Sequence, residues 1–292
     1  MNVFKTMIFL LLMFSSVLPN YCFSQTKKVG KQSLYDMDIP AFMKDSGAVD
    51  TNNEDKKIFL SGRTFVYSYT IKKNNREFEY AVVQEEKART DSAYKFIDWM
   101  LIPVDSLFDN NNIYPIKTVE LYVYKSQKDS RPGMTGIKYE YLNNGKRIWL
   151  GEGSSITEEA SRIFVSSPQS HGFVFTKFDP IPFVQLPLFI GKTWSQFISI
   201  PDTFFERAKI NYPATDGLAH FNWEYKVTEE LNVLTRLGAM SCKKIEAIGK
   251  TALGATFATF YFNEQWGFVK TEYRNIDGSE LVFQLIKVKD SE

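Results

Sequence analysis

From about Phe59 onward, apolar and polar residues alternate with a period of two. In the segment 64–72, Phe65, Tyr67, Tyr69 and Ile71 share one face, and Thr64, Ser68 and Thr70 share the other. Lys73-Asn74-Asn75 then supplies a turn, and residues 77–84 return as a second strand. The alternation is cleanest at 221–228, where Phe221, Trp223, Tyr225 and Val227 oppose Asn222, Glu224, Lys226 and Thr228. A strand with one dry and one wet side belongs to an antiparallel sheet. Turn chemistry agrees. Residues 136–141 and 146–151 are joined through Asn143-Asn144-Gly145, and residues 267–274 and 280–288 through Asp277-Gly278. Asn-Gly and Asp-Gly tolerate the positive φ values of a tight hairpin.

Helical signals are thin. Ser155-Ile156-Thr157-Glu158 reads as a capping box opening a short helix to about Ala160. Residues 202–209 read as another short helix capped by Asp202, and 91–100 as a strand. There is no long amphipathic helix, heptad run or βαβ alternation, so the expected class is all-β with minor short helices. Residues 25 to about 58 are polar and aperiodic, a linker or N-terminal arm, either free or packed through Tyr35, Ile39 and Phe42. Residues 59–292 then form a single β domain. The proline-rich stretch from Asp179 to Leu188 marks either a sub-boundary near 180 or an edge segment within one sheet.

The first 24 residues read as a secretory signal peptide: Lys5, an apolar run from Met7 to Phe14, then a polar stretch ending Cys22-Phe23-Ser24. The run is shorter than the roughly 20 residues of a permanent span, so no transmembrane helix is expected after cleavage at Ser24. Bulky Tyr21 before Cys22 argues against a lipid anchor on that cysteine. The expected location is therefore the periplasm or exterior of a Gram-negative bacterium. The chain has 35 Lys+Arg and 34 Asp+Glu, and losing Lys5 with the leader makes the two equal. A neutral surface with interspersed charge offers no footprint for nucleic acid. Cys242 alone remains after cleavage, excluding an internal disulfide, and reads as a small buried hydrophobe.

Three landmarks of the C-terminal part carry a family resemblance. They are Leu186-Pro187-Leu188-Phe189-Ile190-Gly191-Lys192-Thr193-Trp194, then residues 238–245 from Gly238 to Ile245, then Tyr261-Phe262-Asn263-Glu264 with Gly267-Phe268-Val269-Lys270. Together they resemble a group of uncharacterised exported bacterial proteins similar to the lipoprotein-carrier fold, the fold of lipoprotein localisation factors. The resemblance covers roughly residues 180–290 and implies a strongly curved antiparallel sheet, a half-barrel or open sandwich around an apolar groove. It implies fold more than function. Read physically, Gly191 and Gly267 sit where strands start or bend, Trp194 and Phe268 cover the core, and Lys192 and Lys270 are surface charges.

Candidate chemistry is sparse. Ser170 adjoins His171, a spacing that does not itself bring hydroxyl and ring together. Gly151-Glu152-Gly153-Ser154-Ser155 lacks the spacing of a nucleophile elbow. Glu229 and Glu230 fall on opposite strand faces. His220 and Glu224 share a strand face with Lys226, a poor metal site. No catalytic, cofactor or metal residues are therefore named, and no enzyme is expected. Aromatic residues make up 15% of the chain. Phe257, Phe260, Phe262, Trp223 and Tyr225 are the candidate lining of an apolar groove, with a lipid or other hydrophobic molecule as partner. The alternative is a structural or protein-interaction module of the cell envelope that uses a sheet edge or outer patch.

Overall fold

The alternation closes into one sheet. A computed structural model describes residues 57–83, 98–105, 113–124, 134–149, 151–169, 171–201, 205 and 217–290. The leader with Cys22, the arm up to residue 56, Ser170 and nearly all of the 202–209 segment lie outside the described residues. The strands are β1 (Thr64–Lys73), β2 (Arg76–Val83), β3 (Asp98–Pro103), β4 (Ile113–Pro115), β5 (Thr118–Tyr124), β6 (Met134–Asn143), β7 (Lys146–Trp149) and β8 (Gly153–Glu159). They continue as β9 (Arg162–Val165), β10 (Phe183–Gln185), β11 (Thr193–Pro201), β12 (Leu218–Thr235), β13 (Gly238–Thr251), β14 (Gly254–Asn263), β15 (Gly267–Arg274) and β16 (Glu280–Lys289). A 3₁₀ helix occupies His171–Lys177.

Twelve strands form a continuous path in the order β10-β9-β8-β6-β5-β1-β16-β15-β14-β13-β12-β11. β2 branches from β1 and carries β3 and β4, while β7 hangs on β6. β1 lies beside β16: Phe65 pairs with Val288 and Ile71 with Leu281. Curvature brings the two ends of the path together, so the sheet is a nearly closed barrel rather than an open trough. The seam is side-chain packing. The Phe183 ring of β10 meets Trp194 of β11 at 6.3 Å and Tyr225 of β12 at 5.9 Å, and the Tyr225 hydroxyl donates to the Ile181 carbonyl at 3.2 Å.

The turns follow their residues. Asn74 and Asn75 take φ of 51° and 62° between β1 and β2, and Asn144-Gly145 takes 47° and 79° between β6 and β7. The strand expected within 91–100 is described from Asp98 onward, as β3. The capping-box expectation is overturned: Ser155–Glu158 lies in β8, paired with β6 and β9. Ile156 has a dry site to fill in the barrel wall, and burial in two ladders outweighs a local cap.

Phe173, delivered by the 3₁₀ helix, is fully buried among rings from both halves of the barrel. It stacks on Tyr141 (5.6 Å) and meets Tyr69 (5.2 Å), Tyr80 (4.9 Å), Trp99 (6.1 Å) and Phe283 (5.5 Å). The preceding Gly172 permits this approach, since a Cβ there would sit 2.6 Å from the Tyr80 ring. Among the described residues no helix is long and apolar enough to cross a membrane.

Candidate functional site

Strand parity divides the five groove candidates. Trp223, Tyr225, Phe260 and Phe262 are buried on the inner face. Tyr225 stacks on Trp194 at 5.3 Å and meets Phe260 at 6.4 Å, and Phe260 and Phe262 both pack on Phe268. Phe257 lies on the outer face, 42% exposed, with the Arg274 guanidinium 5.6 Å from its ring. The structure thus brings four of the five together and sets Phe257 apart.

These rings pack against one another inside the sheet. Among the described residues a cavity of ≈ 40 Å³ lies between walls from β1, β5, β6, β15 and β16. That is room for about three water molecules at ~10–15 Å³ each, against the roughly 300–1,000 Å³ of ordinary ligand pockets. The hydroxyls on its wall are already engaged. Tyr67 donates to the Phe268 carbonyl (3.2 Å), Tyr139 to the Ser166 carbonyl, and Tyr273 shares a 2.8 Å bond with Ser167.

Phe59 also borders this cavity, and it comes from outside the sheet. Ile58 and Phe59 are 3% and 1% exposed, and the Phe59 ring lies 5.1 Å from Phe65. Their backbone is held by side chains. Glu158 accepts from the N–H groups of Lys57 (2.9 Å), Ile58 (3.0 Å) and Phe59 (2.9 Å), and Arg63 donates to the Ile58 carbonyl at 2.8 Å while pairing with Asp290 at 2.6 Å. Gly267, at φ +72°, completes the seat: a Cβ there would stand 3.0 Å from Phe59 and 3.1 Å from Ile58.

A buried polar row crosses the inner face of the C-terminal strands. Gln196, Trp223, Gly249 and Thr256 are successive cross-strand partners on β11 to β14. Among the described residues, the Gln196 amide and the Trp223 indole nitrogen have no hydrogen-bond partner. Asp179 is fully buried, and among the described residues neither of its carboxylate oxygens meets a donor in good hydrogen-bonding geometry; the neighbouring Thr256 hydroxyl turns to the Phe178 carbonyl at 3.4 Å. Burial holds the Asp179 carboxyl well above the usual carboxylate range, and Thr256 offsets only part of that.

On the outer face, a hollow of ≈ 670 Å³ lies over β11 to β14. Ser195, Glu224, Ile248 and Phe257 form one cross-strand row of its floor. Glu224 of this row pairs with Lys250 at 2.9 Å. β11 borders the hollow and, among the described residues, ladders with β12 alone. Its outward positions are Thr193, Ser195, Phe197 and Ser199, with Phe197 59% exposed and stacked on His220 at 5.6 Å. No residue of β11 is charged, and its register with β12 runs without a bulge.

The remaining candidates are scattered. His220 shares a 2.9 Å bond with Ser199 on the outer face. Cys242 is buried, its Sγ toward the Met240 carbonyl at 3.4 Å, and burial pushes its thiol up to about 11. Trp194 and Phe268 are buried as expected, and Lys270 pairs with Glu272 at 2.5 Å. Lys192 is more than a surface charge: its ammonium donates to the carbonyls of Gln185 (2.7 Å) and Pro187 (2.9 Å), tying the loop around the cis Leu186-Pro187 bond to β11. Among the described residues there is no group of three or more His, Cys, Asp or Glu able to hold a metal. Sequence reading passed over Phe197, Asp179 and the Ile58–Phe59 pair. A phenylalanine on the polar face of β11 and an acid between Phe178 and Pro180 were the available signals.

No family model and no curated protein matches the chain. Several solved structures are similar to it. One, called a "putative lipoprotein", from Parabacteroides distasonis, shares 11% identity and covers 80% of this chain and 97% of its own, with a TM-score of 0.40. A second, called a "putative exported protein with YmcC-like fold", from Bacteroides fragilis, has 11% identity, covers 80% and 98%, and scores 0.36. The hypothetical lipoprotein YmcC of Escherichia coli has 6% identity, covers 82% and 92%, and scores 0.29. None of the three is named as a lipoprotein carrier.

Proposed function

We propose that this chain is an exported, non-enzymatic binding protein that works without a cofactor and meets its partner on the outside of the barrel. The partner is an extended stretch of another polypeptide that adds along the β11 edge beyond its Phe183–Trp194 seam, with side chains reaching the hollow over β11 to β14. Export rests on the leader-like first 24 residues. The observation that carries the site is a hollow of ≈ 670 Å³ on the outer face next to an uncharged edge strand. Proteins ordinarily blunt such edges with lysine, proline or a bulge, and strand addition at an edge is a recurring mode of peptide recognition. β11 has only its terminal Pro201.

A photo-crosslinking residue at position 197, with Lys287 on β16 as control, tests this in the producing cells. A discrete polypeptide adduct at 197, absent at 287 and lost when Ser199→Lys charges the edge, is expected. No adduct, or the same adduct at both positions, overturns the site. The rival reading, a lipid or other apolar ligand inside, is favoured by the apolar wall of the internal cavity. Lipid released by organic extraction and seen bound in native mass spectrometry would move the site to the interior.

A further inference from the structure

We infer that Ile58 and Phe59 are a displaceable stopper, and that the barrel interior beneath them is a second binding site, for one uncharged apolar group of about the size of a benzene ring. This is independent of the outer-face reading. Three observations support it. First, the stopper belongs to none of the sheet ladders: Glu158 and Arg63 hold its backbone through their side chains, so it can leave without breaking strand pairing. Second, Phe59 borders the residual cavity, so its departure merges the volume of an aromatic side chain with space that is already empty. Third, the chemistry of the wall selects the ligand. Val119, Leu121, Val165 and Phe283 supply it, and the nearby hydroxyls of Tyr67, Tyr139 and Tyr273 are already engaged. A charged or hydrogen-bonding ligand would meet no free partner among the described residues there, whereas an apolar cavity stays dry and accepts benzene-like molecules.

Glu158 is the latch. One carboxylate receives three successive N–H groups, and charge-assisted bonds of this kind are about twice as strong as neutral ones. Replacing it by glutamine removes the charge and turns one oxygen into a donor facing an N–H, while leaving the cavity wall intact. The stopper should then open more often without any new void being cut.

The experiment compares the full mature chain with Glu158→Gln and Phe59→Ala, using benzene as the probe. Binding is followed by ligand-induced change in melting temperature and by NMR titration, and amide exchange is read at 57–59 and at Val119 and Leu121. Expected are at least tenfold faster exchange at 57–59 in Glu158→Gln with β5 unchanged, and benzene binding at least tenfold tighter than wild type, one per chain, in both variants. Wild-type affinity in Glu158→Gln despite freed amides overturns the stopper. Absence of one-to-one binding in Phe59→Ala overturns the site. Should Glu158→Gln fail to fold, Glu158→Asp, which keeps the charge but shortens the reach, is read in the same way. Failure of either arm leaves the outer face untouched, since that is read by crosslinking at residue 197.

Discussion

The C-terminal strands β11 to β16 and the segments leading up to them solve the same problem differently. β11 alternates exposed and buried at every residue, from exposed Thr193 and buried Trp194 through to buried Ile200. By contrast, residues 163–168 and 176–184 are buried without interruption. The difference lies in what covers the outer side. The meander leaves one face to water, so its charges form a lattice of exposed pairs such as Lys244 with Glu229 (3.0 Å) and Glu246 (3.1 Å). The earlier segments pack against excursions from the sheet: the 3₁₀ helix sets Phe173 against Tyr80 of β2 and Trp99 of β3, and the Lys57–Phe59 backbone lies on Glu158. Period two is therefore a signature of half-wet sheet, and it fades wherever both faces are dry.

The largest expected effect removes the ring that holds the excursions in place. Phe173→Ala leaves a void among Tyr69, Tyr80, Tyr141 and Phe283, and should destabilise by about 3–5 kcal/mol in urea denaturation. A loss below about 1 kcal/mol would mean that the 3₁₀ helix is not part of the core.

Next comes Asp179, the carboxylate beside the buried polar row. Its folded pKa lies above the unfolded one, so the native state binds the proton more tightly. The contribution of this one group to stability is then greatest below about pH 4 and declines as pH climbs toward the folded value. Asp179→Asn lacks that slope. It should be more stable than wild type by about 1–3 kcal/mol at neutral pH, with the advantage vanishing near pH 3. Equal pH profiles for the two proteins would show that the carboxyl is solvated.

Gly267→Ala tests where the two regions meet, because its Cβ would press on Phe59 from a left-handed backbone. A cost of about 1–3 kcal/mol is expected, with increased amide exchange at 57–59. Smallest is Lys250→Met, which removes the partner of Glu224 in the outer hollow. Its pair with Glu224 is exposed on both sides, and the change should stay within about 0.5 kcal/mol. A larger effect there would make the charge lattice structural rather than a solvated surface.

Much of the architecture was legible in the residues. The faces of 221–228, the Asn144-Gly145 turn and the Asp277-Gly278 turn stand where alternation and turn chemistry put them. Ser155–Glu158 misled because a capping box and a half-buried strand can share the same four letters. Only the distant backbone of residues 57–59 gives Glu158 its use. Of the site, the inward set of Trp223, Tyr225, Phe260 and Phe262 followed from parity. Whether such rings line a groove or fill it depends on how far the sheet curls, and no local pattern encodes that. The outer hollow was illegible for a related reason: Ile248 and Phe257 become neighbours only through the register of β13 with β14.

The partnership of β1 with β16 constrains how the molecule can be made. Val66 needs Lys287 opposite it, and Lys72 needs Glu280. Those partners come far later in the chain, so the ring stays open until β16 has emerged. Non-local pairings of this kind are slow to form. A chain made from its N-terminus would stay an unfinished ribbon through fifteen strands, and would take its closed form only once the sixteenth had followed.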